Sequence, residues 1–345
     1  MTPSPNARID LRIGVVPRAK TILDVAFGRA RQSVLEAKRD IFKRQHEHKV
    51  KRIENIRIQV AASNVCAQLQ SITDAFPTYD HLAPFYRELL KATLDLVVFK
   101  ESLGALKWAA QRTRALQRQF AGQIEKSRMQ QLHTMRAAFF GRVSSVVDQI
   151  DDALQNLEDA RKILKRFPTI KTSIPTVVIA GMPNAGKSTL LRALTGSEPE
   201  IKPYPFTTKN IMLGYRGVRE AKIQFVDTPG LLDRPLSERN PIEKQTILAL
   251  THIARVVLFI IDASGTGGYT VKAQLDLLRE IRKEFDMPFI VVANKMDISG
   301  AKPIKDTFSI SAENGDGIND VATAVEEAVA KATQKTSPEA QTKTQ

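Results

Sequence analysis

One cysteine, one tryptophan and no long apolar run occur in 345 residues. The lone Cys66 excludes a disulfide framework and an all-cysteine zinc site, and it points to a reducing compartment. The longest apolar stretches are short, such as Val256 to Ile261, where a membrane helix needs roughly 18 apolar residues. Residues 1–10 hold no apolar stretch, so no signal peptide is expected and a cytoplasmic location is. Acidic residues are in deficit, with 37 Asp+Glu against 51 Lys+Arg. What remains is ordinary: 43% hydrophobic and 26% charged, which excludes wholesale disorder, collagen and low-complexity fibre. A chain of this length predicts two domains, each long enough to bury a core.

The acidic deficit is not spread evenly. Residues 1–170 hold 29 Lys+Arg against 17 Asp+Glu, a net +12, which leaves +2 for residues 171–345. A strongly basic half beside a nearly neutral one predicts two surfaces with different work, the basic one facing a polyanion. Two segments concentrate the charge. Lys38, Arg39, Lys43, Arg44, Lys49, Lys51, Arg52 and Arg57 stand against Asp40, Glu47 and Glu54, and Arg112, Arg114, Arg118, Lys126 and Arg128 form a second cluster. Runs of one sign point to phosphate contact, whereas mixed runs point to a solvated face. His46 and His48 lie in the first run without a metal-ligand set and read as surface residues. Trp108 and the Phe139–Phe140 pair read as core.

The basic half has helical periodicity. From Leu132 the series Met135, Phe139, Val143, Val146, Ile150, Leu154 and Leu157 advances by threes and fours, as an apolar stripe on one helix face does. Leu103, Leu106, Ala110, Leu116, Phe120 and Ile124 repeat the pattern upstream, and Ile53, Ile56 and Val60 begin another. Pro77, Pro84 and Pro168 act as breakers. Helices are predicted near 20–33, 38–75, 84–126 and 129–166, and one-sided helices with short loops form a bundle.

After Pro168 the texture changes. Short β-branched runs at 176–180, 223–226, 256–261, 289–293 and 307–310 alternate with helical stretches at 189–194, 242–253, 271–285 and 318–330. Near-continuous apolar strands alternating with helices predict a mainly parallel sheet with helices on both faces. The domains are therefore expected to be a basic helical bundle over 1–170, an α/β domain over 171–332, and a flexible tail over 333–345.

Four motifs fall at strand ends in this second half. Gly181-Met-Pro-Asn184-Ala185-Gly186-Lys187-Ser188 fits the phosphate-loop pattern between a strand and a helix. Its glycines let backbone N–H groups converge on phosphate oxygens at a helix N-terminus. Lys187 would neutralise the β- and γ-phosphates, and Ser188 would ligate Mg²⁺. The cradle includes Asn184, Ala185, Gly186 and Thr189. Asp227-Thr228-Pro229-Gly230 closes the strand 223–226, where a carboxylate can hold Mg²⁺ and a glycine N–H can meet a γ-phosphate. Asn294-Lys295-Met296-Asp297 follows the strand 289–293. A carboxylate there accepts two hydrogen bonds from guanine, while adenine lacks those donors. Ser311-Ala312-Glu313, after the last strand, is expected to place a backbone N–H near guanine O6.

In this order the motifs resemble the P-loop GTPases. Tyr204-Pro205-Phe206-Thr207-Thr208 resembles the switch segment of the Obg superfamily. Within that superfamily, Pro84-Phe85-Tyr86-Arg87-Glu88-Leu89-Leu90 and Phe140-Gly141-Arg142-Val143-Ser144-Ser145-Val146 resemble the amino-terminal domain of the nucleolar GTP-binding protein family, in its short archaeal form. The resemblance covers about residues 15–330. It implies a helical bundle followed by a P-loop GTPase domain, GTP and GDP with Mg²⁺, and a role in assembly of the large ribosomal subunit. It makes Thr208 the switch threonine on Mg²⁺, Asp227 and Gly230 the γ-phosphate sensors, and Asn294, Lys295 and Asp297 the guanine readers. Ribosomal RNA, the large-subunit precursor and other assembly factors are the implied partners, with neither membrane nor DNA among them.

One position departs from Ras-like GTPases: Leu231 stands where a water-orienting glutamine would be. Leucine cannot polarise water, so slow hydrolysis is expected, through another group, a cation or a partner. Asn184 matches the phosphate-loop asparagine of potassium-activated GTPases, and it is equally a turn former that tolerates an unusual backbone angle. Two other functions stay open on the sequence. A signal-recognition-type membrane-targeting GTPase also has a bundle before its G domain, although that family favours Thr-Lys-x-Asp and Asp-Thr-Ala-Gly. A nucleotide-bound scaffold with little hydrolysis is the other.

Overall fold

The computed structural model describes residues 13–40, 46–205, 210–218, 221–234 and 238–335. Thr208, Lys43, Arg44 and the end of the tail lie outside them. Contacts divide the chain into two compact units, one made by five of the first six helices and one by the remaining helix with everything after Arg166.

The helical unit holds α1 (Ala19–Asp40), α2 (His46–Ala75), α4 (Leu96–Lys126), α5 (Leu132–Asp148) and α6 (Asp151–Leu164). Here α2 packs on α1 and α4, and α4 on α5 and α6. The apolar stripes close the core: Ile22, Ile58, Val65, Leu69, Leu106, Ile124, Phe139, Val143, Leu154 and Leu157 are fully or nearly fully buried. The stripe from Leu132 runs on as expected, but over two helices. Gln149 and Ile150 form a turn, and Asp151 and Asp152 restart the helix where carboxylates favour its positive end. Asp151 also accepts the Ala19 N–H at 2.8 Å and pairs with Arg18, so α6 caps the start of α1.

The predicted helix over 84–126 is likewise two. Asp95 ends the first by capping the second, its carboxylate accepting the N–H groups of Val97 at 2.9 Å and Val98 at 3.1 Å. The short helix α3 (Pro84–Thr93) belongs with the sheet unit, where it packs on α8 (Pro241–Ala249). A boundary at residue 170 follows the chain, whereas the contacts put α3 on the other side of it. Tyr86 shows why: its buried hydroxyl accepts the Ile170 N–H at 2.9 Å and donates toward the carbonyls of Pro168 and Ile170. Burial pushes that phenol up to about 12.

Trp108 corrects the sequence reading. It is 44% exposed, on the solvent side of the α4 residues Leu106, Ala109, Ala110 and Thr113 that face inward. Phe139 is buried as expected, and Phe140 is half-buried with its ring edge-on to Phe27 at 4.5 Å.

The sheet unit has seven strands in the order β2-β3-β4-β1-β5-β6-β7. β1 (Thr176–Ala180), β4 (Ala221–Asp227), β5 (Ala254–Asp262), β6 (Phe289–Asn294) and β7 (Phe308–Ser309) run parallel, and β2 (Glu200–Lys202) and β3 (Ile211–Val218) continue it antiparallel beyond β4. Both alternating sets of β1 and β5 are buried, so helices cover the sheet on either face. The helices α7 (Lys187–Thr195), α9 (Val271–Glu284) and α10 (Ile318–Lys335) complete the unit. β2 and β3 are absent from the sequence reading because Gly214 and Gly217 interrupt the alternation of β3. Gly214 packs closely on α7: a Cβ there would come within 2.7 Å of the Thr195 methyl and 2.9 Å of a Leu191 methyl, which would have to shift.

Candidate functional site

Register brings the chemistry together. Ile179 lies opposite Asp227, and Asp262 opposite Asn294, so the carboxyl ends of β1, β4, β5 and β6 finish along one edge. Ligands of open α/β sheets bind in the crevice outside such an edge.

The first loop leaves β1 and curls through three positive φ angles, Gly181 at 142°, Asn184 at 61° and Gly186 at 98°. The glycines are forced by contact as well as by angle. A Cβ at 181 would sit 2.4 Å from the Ile260 carbonyl oxygen, and one at 186 would sit 2.2 Å from Asn294 Nδ2. α7 starts at once, at Lys187. The buried Lys187 ammonium folds back to donate to the carbonyls of Gly181 at 2.9 Å and Met182 at 2.8 Å, which fixes a cation at the mouth of the loop.

Ser188 follows and donates its hydroxyl to Asp227 Oδ2 at 2.8 Å. Asp227 is fully buried, and its other oxygen, Oδ1, has no hydrogen-bond partner. Burial pushes its carboxyl up, and Ser188 and Lys187 only partly offset that. A buried carboxylate with one orphaned oxygen beside a hydroxyl and a phosphate loop suits a hard divalent cation with oxygen ligands. The residues present therefore fit Mg²⁺, with Ser188 and Asp227 as its side of the site.

Beyond Asp227 the backbone turns at Gly230, φ 81°. Leu231 is 1% exposed and packed inward, so it is out of reach of solvent as well as unable to polarise water. Arg239, which no sequence pattern singled out, braces this turn. Its guanidinium donates to the Gly230 carbonyl at 2.6 Å and to Asp233 Oδ1 at 3.0 Å. The side chain is almost wholly buried, which pulls its pKa down despite Asp233. Only the tertiary fold reveals it, because in the sequence it is one more cation in a polar loop. Tyr204, at the head of the segment read as the switch, makes a contact the sequence does not show: its buried hydroxyl donates to the Thr246 carbonyl of α8 at 2.9 Å and ties that segment to the helix.

The third loop follows β6. Asn294 is a buried cross-brace, its amide donating to the Ala185 carbonyl at 2.9 Å and accepting the Ala312 N–H at 2.9 Å. Lys295, φ 68°, donates to Asp262 Oδ2 at 2.8 Å. Asp262 also accepts N–H groups from Ser264, Gly265 and Gly267, and so fixes the loop after β5. Burial raises that carboxyl, but Lys295, Ser264 and Gly267 outweigh it and hold it below the usual range. An acidic residue closing the apolar run 256–261 was a legible signal for this role. Asp297 stays exposed. In the segment Ser311-Ala312-Glu313, expected to bring a backbone N–H near guanine O6, the N–H groups of Ser311 and Ala312 are engaged within the protein by the Asp316 carbonyl and Asn294. The structure thus gathers Asn184 to Thr189, Asp227, Gly230, Asn294 to Asp297, Ser311 and Ala312 at one edge of the sheet, while Thr208 lies outside the described residues.

Comparisons with known proteins match the two halves of the chain to two family models, the first of which takes in α3. The family model described as NOG1 N-terminal helical domain matches residues 11–171, and the one described as 50S ribosome-binding GTPase matches residues 176–295. An uncharacterized protein of Methanocaldococcus jannaschii is 46% identical over 74% of this chain and 72% of its own length. Nucleolar GTP-binding protein 1 of Arabidopsis thaliana is 31% identical over 83% of this chain, and the match spans 43% of that relative, less than half of it. Among solved structures, nucleolar GTP-binding protein 1 of Plasmodium falciparum is 29% identical over 49% of this chain and 93% of that one, with a TM-score of 0.44. With the helical model at one end, the GTPase model at the other and the nucleotide-binding loops in place between β1 and β7, the chain belongs to the nucleolar GTP-binding protein family.

Proposed function

We propose that this chain hydrolyses GTP to GDP and phosphate with Mg²⁺, and that it acts as a nucleotide-gated assembly factor for the large ribosomal subunit, its basic helical unit docking on ribosomal RNA. The observation that carries the enzymatic part is Asp227, buried and half-satisfied beside Ser188 and the tethered Lys187. Lys187 offsets phosphate charge, and the loop amides cradle it. Ser188 and Thr208 are the proposed Mg²⁺ ligands with Asp227 behind them. When bound, the cation supplies charge neutralisation between the β- and γ-phosphates. Asp297 reads guanine, and Asn294, Ser311 and Ala312 shape the base-side wall.

Hydrolysis is proposed to be slow, below the roughly 1–10³ s⁻¹ typical of enzymes, because Leu231 is buried. Asn184 has an exposed side chain on the loop, and a potassium ion held there is the proposed accelerator. The inward Leu231 also supports a second reading, a nucleotide-bound scaffold. Multiple turnover of GTP distinguishes the two: one turnover per chain and no more would favour the scaffold.

Gating has a physical route in the sheet unit. The Gly230 carbonyl is held by Arg239, and the next residue, Asn240, caps α8. α8 packs on α3, which leads along the chain into helical-unit segments at both of its ends. A shift of Gly230 on loss of the γ-phosphate would therefore reach α3.

The charge division and the names of the relatives support the ribosomal part. The test is sedimentation of a lysate with GDP or a non-hydrolysable GTP analogue. The protein is expected on the large-subunit precursor in one nucleotide state and free in the other. For six to eight phosphate contacts, the slope of log affinity for RNA against log salt is expected at roughly −4 to −7. Neutralising Lys43, Arg44, Lys51 and Arg52 together is expected to flatten that slope by about three to four. Unchanged affinity and unchanged co-sedimentation would make the partner a protein and refute the RNA reading.

A further inference from the structure

The only tryptophan of the chain is Trp108, and it stands 44% exposed in the middle of α4. A large aromatic in a helical bundle normally supplies core area, and α4 has no shortage of that: Phe99, Leu106, Leu116, Phe120 and Ile124 are buried along its inner side. Trp108 falls outside that stripe. Helical spacing puts Gly104 one turn before it and Arg112 one turn after, each about 6 Å along the axis. Gly104 is exposed and has no side chain, so the approach to the indole from that end is open.

The surroundings are cationic. Lys100, Lys107, Arg112, Arg114 and Arg118 are all exposed on α4 over the stretch 100–118, where Glu101 is the single acid. Lys107, Arg112 and Arg118 make no ion pair with other described residues. A flat, half-open aromatic bordered by unneutralised cations is the arrangement that binds single-stranded nucleic acid, in which the ring takes a base and the cations take phosphates. A protein partner would favour an apolar patch with a mixed-charge rim, and a smooth duplex would leave the indole without a base face to meet.

We infer that Trp108 is a stacking platform for an unpaired RNA base, with Lys107 and Arg112 gripping the flanking phosphates. This site rests on the RNA-docking reading above and makes it specific: the helical unit selects a single-stranded or looped element over plain duplex.

Because Trp108 is the only tryptophan, fluorescence excited at the red edge of tryptophan absorption, where the five tyrosines do not absorb, reports on this residue alone. Titration with a short single-stranded oligoribonucleotide is expected to quench it, while the same sequence as a duplex, or inorganic polyphosphate, is expected to bind without comparable quenching. Trp108→Phe is expected to keep single-strand affinity within a few-fold. Trp108→Ala is expected to lose about 5- to 150-fold, the range for one base–aromatic stack, with the salt slope unchanged. Circular dichroism of each variant checks the fold, and wild-type quenching tests the contact without any substitution. RNA binding with no quenching and with an unaffected Trp108→Ala variant would overturn the platform and leave RNA docking intact. Failure of the chain to bind any RNA would overturn both. Quenching by RNA-free ribosomal protein but not by RNA would overturn the platform in favour of a protein contact.

Discussion

The two units treat polarity in opposite ways. In the helical unit the helices satisfy their own backbones, so polarity can stay outside as charge. Its buried polar residues are few, Glu54, Ser102, Thr113, Ser127 and Arg161, and Glu54 is paired with Arg57 and Arg136. In the sheet unit Lys187, Asp227, Thr228, Arg239, Asp262, Gln274, Asn294 and Ser311 are buried. Every positive φ among the described residues also falls at or after Gly181. On the proposed reading, the helical unit works through a field that acts at the range of a Debye length, about 8 Å at physiological salt. The other works through atoms placed to a fraction of an ångström, which is where buried, oriented polar groups gain strength. Salt is therefore expected to act on the first and point substitutions on the second.

The largest expected effect is at Asp297. Asp297→Asn replaces an acceptor with a donor against the guanine edge. GTP affinity is expected to fall by at least about 100-fold, with preference moving toward xanthosine nucleotides. RNA binding and its salt slope are expected to stay as in the wild type. Calorimetric titration with GTP, XTP and ATP checks it, and equal wild-type affinity for ATP and GTP would break the guanine assignment.

Asp227 comes next, and its sign can be worked out. Burial raises its folded pKa above the unfolded carboxylate value, so between the two the folded state binds more protons. Without nucleotide, stability is expected to decline as pH rises through that window. Mg²⁺ requires the ionised form, so its binding is expected to weaken as pH falls through the raised value. Asp227→Asn removes the buried charge. It is expected to raise the melting temperature of the nucleotide-free protein at neutral pH while weakening the Mg²⁺-dependent gain in nucleotide affinity by roughly 10–100-fold. Melting curves with and without Mg²⁺-GDP across pH test both halves; a lower melting temperature without nucleotide would show that the carboxylate braces the fold.

How legible each unit was in the sequence follows from the same contrast. The bundle could be read from period alone, because burial in a helix repeats every three to four residues; Phe139, Val143, Leu154 and Leu157 are where the stripe put them. Its errors were punctuation. Asp95 and the turn at Gln149–Ile150 split helices that period alone would join, since a cap is one side chain and leaves no periodic trace. Residue type points Trp108 into the core, whereas its phase on α4 puts it on the solvent side. In the sheet unit the loops could be read from motifs, whose glycines are dictated by contacts such as Gly181 with Ile260. Arg239 could not, nor could the contact made by Tyr204 of the switch motif, because each depends on partners that only the fold brings near: Gly230 and Asp233 for one, Thr246 for the other. The membership of α3 in the sheet unit was hidden for the same reason, as it is set by Tyr86 meeting Ile170, 84 residues away.

Asn184 is expected to give a smaller effect. If its side chain helps hold potassium, turnover in potassium is expected to exceed that in sodium by about 2–12-fold, the value of one ordinary hydrogen bond, and Asn184→Ala is expected to abolish the difference. Equal rates in both salts would leave φ 61° as the whole role of this residue, a turn former in a strained loop.

The smallest expected effect sharpens the comparison most directly, because it lies where the chain passes from one unit to the other. Asp95 follows α3 of the sheet unit and caps α4 of the helical unit. Asp95→Ala leaves the N–H groups of Val97 and Val98 to water and removes a carboxylate from the positive end of a helix. The cost is expected to be about 1 kcal/mol, within a range of 0.5–2, and to lower the melting temperature by a few degrees. Asp95 is exposed, so no cavity forms and no buried group loses its partner. The loss is expected to fall on the helical unit alone. In native-state hydrogen exchange, amides of α4 should open more readily, while those of β1, β5 and α7 and the affinity for GDP should be unchanged. If strand protection and GDP affinity fell in step with α4, the two units would unfold as one cooperative body, and the separation of field from site drawn above would not hold energetically.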